Sequence, residues 1–234
     1  LGFAEVGFAP VTSGDISTFN LTGEELVEVF AGLKRLGKRY LEATRAPDLS
    51  APQGQGGHWW LDPEDIVVMN TTDLNISGGP VFTPTSIGSP SLLSTSTLEA
   101  ALNNGGSVTL DTSLPGGTGN GDVTINAPVT KTGGSTSFFA ILANRNVNIN
   151  YAITSNASAL NVNITADQDN NGSGNVNIGS QVQTAGGNFS VIGQWVDIAA
   201  GGNVTTGGGS ITLTALGNAG ITHNGLGKLH SNGG

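Results

Sequence analysis

The 234-residue chain contains no cysteine. That excludes disulfides, thiolate metal sites and a cysteine nucleophile, and it leaves the redox compartment open. No apolar run approaches the ~20 residues of a membrane-spanning helix. Charge is scarce: Asp, Glu, Lys and Arg make up 11% of the chain, too few for a charged disordered tail. Basic charge is scarcer still. Five of the eight Lys and Arg residues (Lys34, Arg35, Lys38, Arg39 and Arg45) crowd into one stretch, and beyond it only Lys131, Arg145 and Lys228 remain. With a net charge of −9, the main body offers no phosphate-neutralising surface, so nucleic acid is not an expected partner. There is no initiator Met and no signal-peptide pattern. The sequence reads as an internal segment of a longer chain.

The space is filled by Gly (37 residues), Asn, Ser and Thr, interrupted by short apolar runs. Such punctuation predicts many short strands joined by turns. Two segments depart from it. In the first, Leu26, Val29, Phe30, Leu33, Leu36, Tyr40 and Leu41 recur at helical spacing. Thr22 and Glu25 have the spacing of a capping box, and the basic residues gather at the C-terminal end, where the helix dipole favours them. An N-terminal amphipathic helix is therefore expected within 1–45, its role open, followed by a Pro-, Gly- and Gln-rich linker at 46–57. The second segment is shorter. Ser96 and Glu99 again have capping-box spacing, Leu98, Ala101 and Leu102 form one face, and Asn104-Gly105 ends the pattern after two turns.

The remainder, 58–234, repeats itself. Four alternating triplets occur: Val123-Thr-Ile125, Val147-Asn-Ile149, Val176-Asn-Ile178 and Val196-Asp-Ile198. Alternation puts Val and Ile on one side of a strand and the polar residue on the other. Each triplet is followed by a second apolar residue: Val129, Ile153, Val182, Val204. Then comes a small pair: Gly133-Gly134, Ala157-Ser158, Gly186-Gly187, Gly208-Gly209. A further alternating run closes each unit, from Phe138 to Leu142, Leu160 to Ile164, Phe189 to Val191 and Ile211 to Leu213. Leu229 and Gly233-Gly234 begin the same pattern again, inside an unfinished unit. Unit starts lie 24, 29 and 20 residues apart, a solenoid signature with loop insertions. One such unit cannot bury its single apolar face; stacking units at ~4.8 Å per rung builds a continuous core. Asn at inward corners would stack into hydrogen-bonded ladders. The expected class is all-β, a parallel β-helix; the alternative, a β-sandwich, calls for hairpins and no repeat.

"GGHWWLDPEDIVV" (56–68) resembles the Gly-Gly-x-Trp-Leu-Leu-Asp-Pro-x-x-Ile-x-Ile segment of large bacterial exoproteins of the filamentous-haemagglutinin family, at Trp60, Leu61, Asp62, Pro63 and Ile66. Leu98, Glu99, Ala100, Ala101 and Leu102 resemble that family's Leu-Glu-Ala-Ala-Leu turn, and "GDVTINAPV" (121–129) its following strands. The likeness spans about 56–215. It implies a right-handed parallel β-helix acting as the shaft of a secreted adhesin on the bacterial outer-membrane surface. It also implies export through an outer-membrane pore transporter as partner, and a host-cell receptor or glycan as target. The charged helix predicted in 1–45 departs from the family pattern. A haem-acquisition exoprotein or the stalk of a contact-dependent toxin has the same kind of shaft.

Asp167, Asp169 and Asn171, followed by Gly172, form the first half of a calcium loop, where alternate oxygens converge on a hard cation. The twelfth position, which needs Glu, is Ile178. The competing reading is a solvated Asn/Gly turn between rungs. No other cofactor is expected. His58, His223 and His230 are scattered, without metal-ligand spacing. Trp59 and Trp60 suit a sugar platform or a cover for the end of the core, and Trp195 a rung corner. Some β-helices are polysaccharide lyases or hydrolases, which need clustered acids or a base beside acids. Asp111, Asp122, Lys131, Arg145 and Asp197 are the candidates here, with nothing in the spacing to force them into one site. A non-enzymatic role is therefore expected.

Overall fold

The structure is a computed structural model that describes residues 58–61, 65–77, 81–84, 91–112 and 120–232. All of them belong to the compact unit Ala43–Gly234. The helix expected in 1–45 and the linker at 46–57 lie outside the described residues. The fold is a parallel β-solenoid of about six turns. Each full turn contributes one strand to each of three faces.

Face A stacks Ile66–Met69, Val123–Ile125, Val147–Ile149, Asn175–Ile178 and the C-terminal parts of Phe189–Ile198 and Ile211–His223. Face B stacks Val129–Lys131, Ile153–Ser155, Val182–Gln183, Asn203–Thr205 and Lys228–His230. Face C includes Ser107–Asp111, Ser137–Leu142, Leu160–Thr165 and the N-terminal parts of the two long strands. The registers are those of the sequence repeat. Val123, Val147, Val176 and Val196 lie directly above one another, as do Ile125, Ile149, Ile178 and Ile198. On face B, Val129, Ile153, Val182, Val204 and Leu229 form one column. On face C the inward parity falls on Phe139 and Ile141, stacked with Val162 and Ile164, while Phe138 faces out.

The interior columns are fully buried from Ile66 to Val204. Each Val or Ile so buried is worth roughly 1.5–3 kcal/mol relative to exposure. That gain offsets the ordering of a chain rich in Gly, Asn and Ser. The turn between faces B and C carries the small pairs. Gly134 has φ +73°, and a Cβ there would lie 1.9 Å from the Asn103 carbonyl oxygen. Only Gly satisfies both the left-handed backbone and the close approach.

At the start of the stack, spatial order departs from sequence order. Val81–Pro84 pairs with one side of His58–Leu61, whose other side pairs with Ser107–Asp111. Ser91–Ser94 likewise pairs with Ile66–Met69 on the side away from Val123–Ile125. The helix α1, Thr95–Asn103, carries the chain back and packs on the first strand of face B. The capping box expected at Ser96 and Glu99 does not form. Ser94 is the N-cap and accepts the Ser96 N–H at 3.2 Å, while the Asp73 carboxylate takes the Ser94 N–H and the Thr97 hydroxyl. Glu99 turns instead to the edge strand, where its Oε1 accepts the Thr130 N–H at 2.7 Å. Asn103 Oδ1 accepts the N–H groups of Thr132 and Gly133. Two side chains thus replace the carbonyls that a neighbouring strand would supply, and they close an otherwise unpaired edge.

Candidate functional site along the corner between faces C and A

Unit length varies mainly at one corner. Between faces C and A the connection is 143–146 in one turn and 166–174 in the next. In Phe189–Ile198 it vanishes, and a single strand runs across both faces with only a register shift between Gly193 and Trp195. The core rungs on either side keep their register, so this corner is where outward chemistry is free to differ.

A ladder of acceptors climbs the corner at the residue just before each face A core triplet. Asp65 Oδ1 accepts the N–H of Asp122 at 2.8 Å, Asp122 Oδ1 that of Asn146 at 3.0 Å, and Asn146 Oδ1 that of Asn175 at 3.0 Å. A second ladder before face C joins Asn161 to the Asn188 N–H and Asn188 to the Ser210 N–H. The expected Asn ladders therefore exist, but as side-chain-to-backbone bonds at outward corners. An inward corner position, buried between faces B and C, uses hydroxyls: Ser155 donates to the Ser158 carbonyl, Thr184 to Gly187 and Thr206 to Gly209. In the first rung of that column stands Lys131, fully buried, its ammonium donating to the Gly133 carbonyl and the Ser158 hydroxyl. Burial pushes its pKa down.

Arg145 pairs with Asp122 through two bonds, Nε to Oδ1 at 2.8 Å and Nη2 to Oδ2 at 2.5 Å. Partial burial works against ionisation of Asp122. The guanidinium and the Asn146 N–H outweigh it and hold the carboxyl below its ordinary value. Asp197 lies on the outer surface of face A and accepts the Thr222 hydroxyl at 2.5 Å. Asp122 and Asp197 are three rungs apart, roughly 14 Å along the stack at the usual strand spacing. The structure does not bring them together as an acid pair. Asp111 is buried at the end of its face C strand, and Lys131 sits at a different corner.

The loop of Asp167, Asp169 and Asn171 lies in the long 166–174 connection. Asp167 is buried at a left-handed φ of 58°, with its carboxylate turned inward. It accepts the N–H groups of Gly172 at 3.1 Å and Ser173 at 3.3 Å, and the Gln194 amide of the next rung at 2.5 Å. Burial raises its pKa, but these donors overcome that and lower it. Asp169 and Asn171 are exposed and bond to each other. The three residues are brought into one loop, with Asp167 acting as the fastener that ties the insertion to the following rung.

Sequence reasoning missed the feature beside this loop. Trp195 stands half-buried at the corner, its indole N–H donating to Thr222 Oγ1 at 2.9 Å. With Asn146, Asn148, Asn175, Val176, Asn177 and Asp197 it lines an open groove of about 280 Å³ on the outside of face A. The signal was present in the repeat. Asn148, Asn177 and Asp197 are the middle residues of successive triplets, so the fold stacks them in one outward column.

No protein-family model matches the chain, and no curated protein matches it.

Proposed function

We propose that the chain is a shaft segment of a secreted bacterial surface adhesin. The observation that carries this reading is the uninterrupted three-faced stack. Its fixed residues all serve the core and corners, and its outward columns and one corner carry the variable chemistry. A stack of this kind is stiff because every rung shares its hydrogen bonds and apolar columns with its neighbours. Its role is to hold recognition surfaces away from the cell. The resemblance at Trp60–Ile66 and Leu98–Leu102 to filamentous-haemagglutinin-like exoproteins supports export by an outer-membrane pore transporter and contact with a host-cell receptor or glycan.

The test is surface labelling of intact source cells with an antibody to this segment, combined with adhesion of the purified chain to host cells. Surface signal with saturable adhesion is expected. Surface signal without adhesion would reassign the segment as a plain stalk, as in a contact-dependent toxin or a haem-acquisition exoprotein. Release of reducing ends from an acidic polysaccharide, lost in Asp122→Ala or Asp197→Ala, would replace the adhesin reading with a lyase or hydrolase.

A further inference from the structure

We propose that the groove at Trp195 is a binding subsite for an uncharged pyranose unit of a glycan; only its assignment to adhesion rests on the shaft reading above. Three observations converge on it.

The first is a fixed aromatic surface. A Trp ring offers a large apolar plane with one polar edge. Here that edge is already held: the indole N–H is bonded to Thr222 Oγ1, whose own hydroxyl proton goes to Asp197. The ring is therefore oriented before any ligand arrives, which lowers the ordering cost of binding. The residue is half-buried and lines the groove.

The second is the lining. Asn146, Asn148, Asn175 and Asn177 surround the ring's neighbourhood with amide donors and acceptors, of which the Asn146 Oδ1 is already taken by the Asn175 N–H. Sugar hydroxyls both donate and accept, as an amide does, so a row of amides offers partners to more than one of them.

The third is size and charge. About 280 Å³ is at the small end of ligand sites, suited to one sugar ring rather than an extended chain. Among the described residues, Asp197 is the single charged group in the lining, and Arg145, next in sequence to Asn146, is engaged by Asp122. An acidic sugar would meet a carboxylate and no free cation there. A neutral one meets the Trp195 ring, Val176 and hydrogen-bonding groups, with no like charge to oppose it.

The experiment is a titration of the ¹⁵N-labelled full chain with lacto-N-tetraose and with maltotetraose, followed at the three Trp indole N–H signals. Trp195→Phe assigns the relevant signal. At least one probe is expected to shift the Trp195 signal selectively. Trp195→Ala is expected to weaken its affinity by about tenfold or more, and Asn148→Ala by a few-fold. Circular dichroism checks that Trp195→Ala folds; if it does not, Trp195→Phe and Asn148→Ala carry the test. The proposal is overturned if neither probe moves the Trp195 signal, or if the folded variants bind as the parent does. Tighter binding of a tetragalacturonate than of either neutral probe would overturn the uncharged-sugar assignment. The two readings separate cleanly. Cell adhesion unaffected by Trp195→Ala would remove the groove from adhesion and leave the shaft. Sugar binding by a chain that is neither surface-borne nor adhesive would do the reverse.

Discussion

The two ends of the stack treat the same kind of residue in opposite ways. Near the start, Val123 and Val129 are fully buried, with Ile66–Met69 beyond the first and α1 over the second. At the far end, Ile221 lies directly above Val196 and Leu229 directly above Val204. Val196 and Val204 are fully buried, yet Ile221 is 47% and Leu229 42% exposed. Register and residue type are alike; the difference is a neighbour on the other side. A rung's apolar face is buried by the two rungs that flank it, and α1 shows that a helix with two well-placed acceptors does the work of one.

Substitutions that break this contrast should differ most where backbone meets backbone. Gly134→Ala, against the end of α1, is expected to cost about 4–5 kcal/mol, because the new methyl meets the Asn103 carbonyl at an already left-handed φ. Gly225→Ala, with nothing within 4 Å of its Cβ position, should leave the urea midpoint within error of the parent. Next come the columns. Ile149→Ala is expected to cost about 2–4 kcal/mol, and Leu229→Ala less than about 1 kcal/mol, by the same measurement. Equal losses would mean that the far end is covered in solution.

Smaller effects sharpen the account of the covered edge. Glu99→Ala leaves the Thr130 N–H without its acceptor and should cost about 1–2 kcal/mol, with faster amide exchange at Thr130. Glu99→Gln keeps an acceptor oxygen and should restore most of it. Acid gives the smallest signal. The carboxyls of Asp122 and Asp167 titrate below their ordinary range in the folded chain. Their stabilisation is full above the unfolded value and is lost as pH falls through the lowered ones. The urea midpoint should therefore fall below about pH 4, and Asp122→Asn should make that fall shallower.

Much of the fold was legible because the core is written with period two and repeated. Val123-Thr-Ile125 and its three later copies specified face A and its register without reference to any outward residue. The two-turn helix was legible for the same reason, since Leu98, Ala101 and Leu102 mark its buried face. Its start was misjudged because Glu99 has two local options, and only the folded chain places the Thr130 N–H within its reach. Face C parity at Phe138-Phe139 was ambiguous, as both residues are aromatic. The groove escaped notice because its residues are spread from Asn146 to Asp197 and converge only when rungs stack. Trp195 was expected at a corner, and it is there; its tie to Thr222 spans a full rung and leaves no mark in local sequence.

The acceptor ladders carry a direction. At Asp65, Asp122 and Asn146 on one corner, and at Asn161 and Asn188 on the other, the earlier residue supplies the oxygen and the later rung supplies the N–H. Glu99 and Asn103 obey the same rule toward 130–133. A rung already in place therefore presents finished docking points to the segment that follows it in sequence. A chain delivered N-terminus first, as from a ribosome, meets its template before it is fully delivered. Sequential growth from a seed, each turn laid on the last, is the order of assembly that this polarity favours.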